Sequence, residues 1–100
     1  MNMQQMMAQA QKMQRELKKA QAELAQKEFV VSKGGAVKVV VLGSKEIKAI
    51  EIDKDAFDAD NKEMVEELIA LAINEALEQI DDELEAINER ITGQPGGFGI

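Results

Sequence analysis

Residues 28–53, EFVVSKGGAVKVVVLGSKEIKAIEID, constrain the fold of this chain more than any other stretch. They read as three short strands in an antiparallel meander. Phe29-Val30-Val31, Val37 through Leu42 and Ile47 through Ile52 are rich in β-branched residues, with Gly-containing turns between them. Gly34-Gly35 supplies the positive φ of a tight hairpin, and Gly43-Ser44-Lys45 marks the second reversal. Side chains alternate faces along a strand, so Val37, Val39 and Val41 line one face while Val40 and Leu42 line the other. On the third strand the same rule puts Ile50 and Ile52 on one face, and Ile47 and Ala49 on the opposite one. A small antiparallel sheet ordinarily keeps one face wet, yet this one is apolar on both. Four apolar side chains left in water forfeit roughly 6–12 kcal/mol. That rivals the whole stability of a small domain, roughly 5–15 kcal/mol. Each face needs a cover.

One hundred residues make a single domain, expected over residues 1–92, with residues 93–100 as a Gly-rich C-terminal tail. The chain has no Cys and no His, which removes disulfides, thiol chemistry, cysteine zinc sites and the commonest general base. Every acidic cluster falls on a helix surface or in a connector, so an enzyme is not expected and no cofactor is implied. No cationic region is followed by an apolar one at the N-terminus, and no apolar run approaches the roughly 20 residues that span a bilayer. A cytoplasmic protein without membrane or small-molecule partners is the expectation.

Residues 3 to 26 carry Met, Gln, Ala, Lys, Glu and Leu with no Gly, Pro or β-branched residue, and so predict a helix. Met3, Met6, Ala10, Met13, Leu17, Ala20 and Leu24 recur at steps of three and four, a coiled-coil seam. The opposite side carries Lys12, Arg15, Lys18 and Lys19 among glutamines. It reads either as a polyanion-binding strip or as a solvated face, with Glu23 and Lys27 as an i,i+4 pair.

After the meander, Asp53, Asp55, Asp58 and Asp60 are spaced suggestively for calcium. Phe57 occupies a ligand position, however, and no Gly follows for the sharp turn. Asp60 with Glu63 predicts an N-cap and its capping-box partner. A second helix follows from about residue 61 to residue 91. It is broadly apolar at first, through Met64, Val65, Leu68, Ile69, Ala72, Ile73 and Ala76. It then narrows to the seam Leu77, Ile80, Leu84, Ile87, Ile91. The wide half should cover one face of the sheet and the narrow half should pair with the first helix. The other face then calls for a second copy of the chain, with Val40, Leu42, Ile50 and Ile52 as the expected dimer interface.

In order and spacing, four groups of residues resemble the YbaB/EbfC family of bacterial nucleoid-associated proteins. They are the Met/Gln-rich segment through Ala10-Gln11-Lys12-Met13-Gln14, the hairpin Gly34-Gly35-Ala36-Val37-Lys38-Val39, Ile50-Glu51-Ile52-Asp53, and Leu68-Ile69 with Ala72-Ile73-Asn74-Glu75-Ala76. Thr92-Gly93 and a Pro-Gly-Gly tail complete the likeness, which spans essentially the whole chain. The resemblance implies an α+β fold, α-β-β-β-α in each subunit: a three-stranded antiparallel meander flanked by two long helices. It also implies a tweezer-like homodimer that binds double-stranded DNA in the nucleoid. The family has no short binding signature, so the assignment of DNA contact to Lys12, Arg15, Lys18 and Lys19 rests on charge and geometry.

Charge qualifies that reading. The chain carries −7 overall, but residues 1–50 hold nine Lys/Arg against four Asp/Glu, and residues 51–100 hold three against fifteen. The halves either attract one another and nothing more, or set a polyanion-binding element beside an acidic one. With only Phe29, Phe57 and Phe98 aromatic, base stacking is not the mechanism, which leaves salt-sensitive phosphate contact. The rival class is a prefoldin-like holdase gripping apolar clients between helical arms tipped by Met3, Met6 and Met7.

Overall fold

A computed structural model describes residues 2–93. Helix α1, Met3–Gln26, is as long as its composition predicts. Its start is fixed by a capping box: the Asn2 side chain accepts from the Gln5 backbone N–H, and the Gln5 side chain accepts from that of Asn2. Three strands follow, β1 Glu28–Lys33, β2 Val37–Leu42 and β3 Ile47–Ile52, antiparallel in the order β1-β2-β3. Gly34 and Gly35 turn the first hairpin at φ 59° and 64°, where a Cβ would be strained.

The register decides which side chains share a face. Phe29 opposes Val41, Val31 opposes Val39, and on the other side Val39 opposes Ile50 and Val37 opposes Ile52. Ile50 and Ile52 therefore lie on the face of Val39 and Val41, and Val40 and Leu42 lie on the reverse one. A shift between Val40 and Val41 adds one residue to β3, so that Val40 opposes Ala49 and Val41 opposes Ile47. This bulge returns Ile47 to the side of Ile50 and Ile52, against the strict alternation expected for β3.

Helix α2, Lys62–Thr92, covers the Val39 face. Val65, Leu68, Ile69, Ala72, Ile73 and Ala76 from its first half join the core with Phe29, Val31, Val37, Val39 and Val41. Its start differs from expectation. A 3-10 turn, Ala59–Asn61, intervenes, and Asp58 caps it by accepting from the Asp60 backbone N–H. The predicted Asp60–Glu63 box is absent, because the extra turn moves the first helical residue past the position that Asp60 would cap; Asn61 precedes α2 without a side-chain cap. The second half of α2 carries Ile80, Leu84, Ile87 and Ile91 beyond the sheet, where Leu17, Ala20 and Leu24 of α1 join the same core. The two seams thus pair as their spacing predicts. The chain is correspondingly long, 69 × 25 × 15 Å.

The reverse face of the sheet is less bare than its sequence suggests. Val40 retains only 8% of its exposure, flanked by its cross-strand neighbours Val30 and Ala49. Lys48 on β3 reaches Glu28 on β1, so this ion pair crosses above the middle strand, and Lys38 faces Glu51 at the other end. Charged side chains with long apolar stems supply part of the cover that a second sheet was expected to provide.

Candidate nucleic-acid interface

An α-helix advances about 100° per residue, so Lys12, Arg15, Lys18 and Lys19 fall within about 120° of one another, centred opposite Leu17 and Leu24. The pairing of α1 with α2 therefore turns all four outward, and all four are exposed. From Lys12 to Lys19 the strip runs about 10 Å along the helix.

The other cations are mostly spent within the chain. Lys27 holds Glu83 at 2.8 Å, Lys33 holds Glu75 at 3.0 Å, and Lys45 holds Asp81 at 3.1 Å. These three pairs tie the ends of the strands to α2. The pairing of Lys27 with Glu83 replaces the expected Glu23–Lys27 pair, because Lys27 already lies beyond the last turn of α1. Lys38, Lys48 and Lys62 also have acidic partners. Among the described residues, Lys12, Arg15, Lys18 and Lys19 enter no ion pair, and neither do Lys54 and Arg90.

Arg90 escaped the sequence reading. The last turns of α2 bring it to two clefts against α1, one lined by Gln9, Lys12, Met13 and Glu16, the other by Ala20, Glu23 and Leu24. It is the cation of α2 that stands beside the strip. Its signal was its place between Ile87 and Ile91, a flanking position of the very seam that packs on α1. The acidic side chains Glu78, Asp82, Glu85 and Glu89 lie on the opposite side of α2, so the two-helix arm is cationic on one face and anionic on the other.

The four expected interface residues do not form one patch. Val40 and Leu42 lie on the reverse face, nearly or partly covered, whereas Ile50 and Ile52 lie on the α2 face of the edge strand. Ile50 remains 45% exposed and Phe57 78%. Between β3 and α2 a hollow of about 480 Å³ is lined by Ile52, Ala56, Phe57, Val65 and Ile69. No helix among the described residues is long and apolar enough to cross a membrane.

This architecture, a three-stranded meander bearing a projecting pair of helices, is shared with an uncharacterized protein of Helicobacter pylori. The superposition gives a TM-score of 0.77 over 93% of this chain and 99% of that one, at 19% identity. Residues 1–95 match the YbaB/EbfC DNA-binding family, and the chain belongs to it. Its sequence is 46% identical to a nucleoid-associated protein of Clostridium novyi over 98% of this chain and 90% of that protein. A nucleoid-associated protein of Metamycoplasma arthritidis is 42% identical over 90% of this chain and 94% of its own length.

Proposed function

We propose that this chain works as a homodimeric nucleoid-associated protein that grips duplex DNA through phosphates, with one helical arm from each subunit. The observation that carries the reading is the division of the cations. Six lysines are held by acidic partners, whereas the α1 strip is outward-facing and free to meet phosphate oxygens. Family membership favours nucleic acid over an unfolded client as the target of the arms. Two arms raise the effective concentration of the second strip once the first is bound, which offsets the repulsion expected of a chain of net charge −7.

Our reading puts the joint between subunits on the flank of β3, where Ile50 is exposed and Ile52 and Phe57 line the hollow beside α2, rather than over Val40. With about three to five cations engaged per duplex, the slope of log K against log salt is expected near −3 to −5. Replacing Lys12, Arg15 and Lys19 together by Gln should weaken binding to all sequences alike and flatten that slope. Fluorescence titration at several salt concentrations reads both quantities. Unchanged affinity and slope would reduce the strip to a solvated face.

A further inference from the structure

The seam of α1 runs past the end of its partner helix. Facing Arg90, Ile91, Thr92 and Gly93, at the end of α2, are Gln9, Lys12, Met13 and Glu16 of α1. Met13 is the first seam residue from the N-terminus to be partly covered. Beyond it Ala10 is exposed, and so are Met7, Met6 and Met3, by 58%, 58% and 77%. At about 100° per residue these four lie within an arc of about 100°, in line with the seam that packs on α2. The capping box of Asn2 and Gln5 holds the turns that carry them helical. A formed apolar surface about two turns long is thus left without a neighbour from α2.

Order and charge say what fits it. Positions 3, 6, 7 and 10 are symmetric about the midpoint between 6 and 7. A twofold axis through that midpoint lays the same four side chains of a second, antiparallel copy over the first. Met3 of each chain then meets Ala10 of the other, a long side chain against a short one. Met6 and Met7 meet their own copies on either side of the axis. Such a contact sets like against like, which any charge near the axis would oppose. Residues 2–11 contain no charge, whereas Lys12, Arg15, Glu16, Lys18 and Lys19 follow directly. The same lack of cations gives a phosphate backbone nothing to hold on this surface.

We propose that the tip of α1 is a docking surface for a second copy of this chain, through antiparallel, twofold pairing of Met3, Met6, Met7 and Ala10. The unbranched, polarizable Met side chains adapt to one another across the axis, and Ala10 lets the two helices come close. Two turns a side fall short of the roughly 1,200 Å² at which stable interfaces begin, so the contact is weak and reversible. The Lys12–Lys19 strip points away from it, and chains joined at their tips would each remain able to hold a phosphate backbone. That consequence rests on the proposed function. The contact itself does not, and its test contains no DNA.

The chain has no Cys, so single cysteines report the register without background. Full-length Met3→Cys and Ala10→Cys chains, both substituted at exposed positions, are mixed in equal amounts in a glutathione buffer and read by intact mass. The disulfide between positions 3 and 10 should exceed either like-with-like disulfide about tenfold. Antiparallel pairing sets position 3 of the two chains about 10 Å apart along the helix, farther than the roughly 7 Å that a disulfide spans. Chance collision would give only the statistical excess of about twofold. Adding Met6→Gln and Met7→Gln to both chains should return the yield to that ratio, with circular dichroism verifying the helices. The statistical ratio in chains that keep both methionines, or a preference indifferent to their loss, would overturn the proposal. So would an excess of like-with-like disulfides, which reports parallel pairing. The absence of any disulfide between chains would overturn it as well, and leave the surface to an occupant other than this chain.

Discussion

Gly43 shows how much a single residue can depend on a distant one. In sequence it is part of a Gly-Ser-Lys turn, and it does lie in the reversal between β2 and β3, where Lys45 rather than Gly takes positive φ, at 76°. The reason for glycine is elsewhere. A Cβ at position 43 would stand 1.8 Å from the Leu24 carbonyl oxygen, because the end of α1 is bound to this turn. The Gly43 backbone N–H donates to Lys27 O and the Ser44 N–H donates to Ala25 O, at 2.9 and 3.1 Å. Gly43→Ala must therefore push α1 off the sheet or break these bonds, and is expected to cost about 1–3 kcal/mol or more. Gly35→Asn is the contrast: φ is 64°, nothing lies within 4 Å of a Cβ, and Asn tolerates that conformation, so the loss should stay below about 1 kcal/mol. Denaturant melts of both variants test the ordering. Turn chemistry is local and was legible at Gly34-Gly35; the contact at Gly43 joins residues about twenty apart and was not.

At the scale of elements, periodicity carried most of the fold. The seams of α1 and α2 and the wide arc of early α2 fixed which surfaces meet, because the spacing of apolar residues is the packing. Interruptions of regular geometry were hidden. The bulge in β3 moved Ile47 across the sheet, and the 3-10 turn displaced the start of α2. Neither has a strong local signature: both are ways of fitting a regular pattern to neighbours the sequence does not display. The same packing ranks two substitutions. Ile80 is wholly buried where α2 leaves the sheet and meets α1, so Ile80→Ala should cost about 2–5 kcal/mol. Leu17, nearer the open end of the arm, is only partly buried, and Leu17→Ala should cost roughly half as much. Equal losses in thermal or urea unfolding would mean that the arm melts as one unit with the core instead of fraying from its tip.

For the whole molecule, the proposed dimer needs a face for its second copy, and the register of the sheet separates the candidates. Grouping Val40 and Leu42 with Ile50 and Ile52 rests on strand alternation alone, which orders residues within each strand but cannot align one strand with the next. The pairing puts the two sets on opposite faces, so substitutions separate them. Val40 is nearly covered within the single chain. Val40→Glu should thus place a carboxylate among Val30, Ala49 and the existing Lys–Glu pairs, destabilising the subunit itself. Ile50 is almost half exposed on the edge strand and lies beyond the cover of α2, so Ile50→Glu should leave the subunit folded. If that flank forms the dimer joint, the same change buries an unpaired charge against an apolar partner. A penalty of roughly 3 kcal/mol would weaken dimerisation about 100-fold. Analytical ultracentrifugation across a range of concentrations, with circular dichroism to confirm folding, distinguishes the cases. A folded Ile50→Glu monomer supports the β3 flank. An Ile50→Glu dimer of unchanged affinity would return the joint to the reverse face, and with it the expectation that two sheets pack directly together.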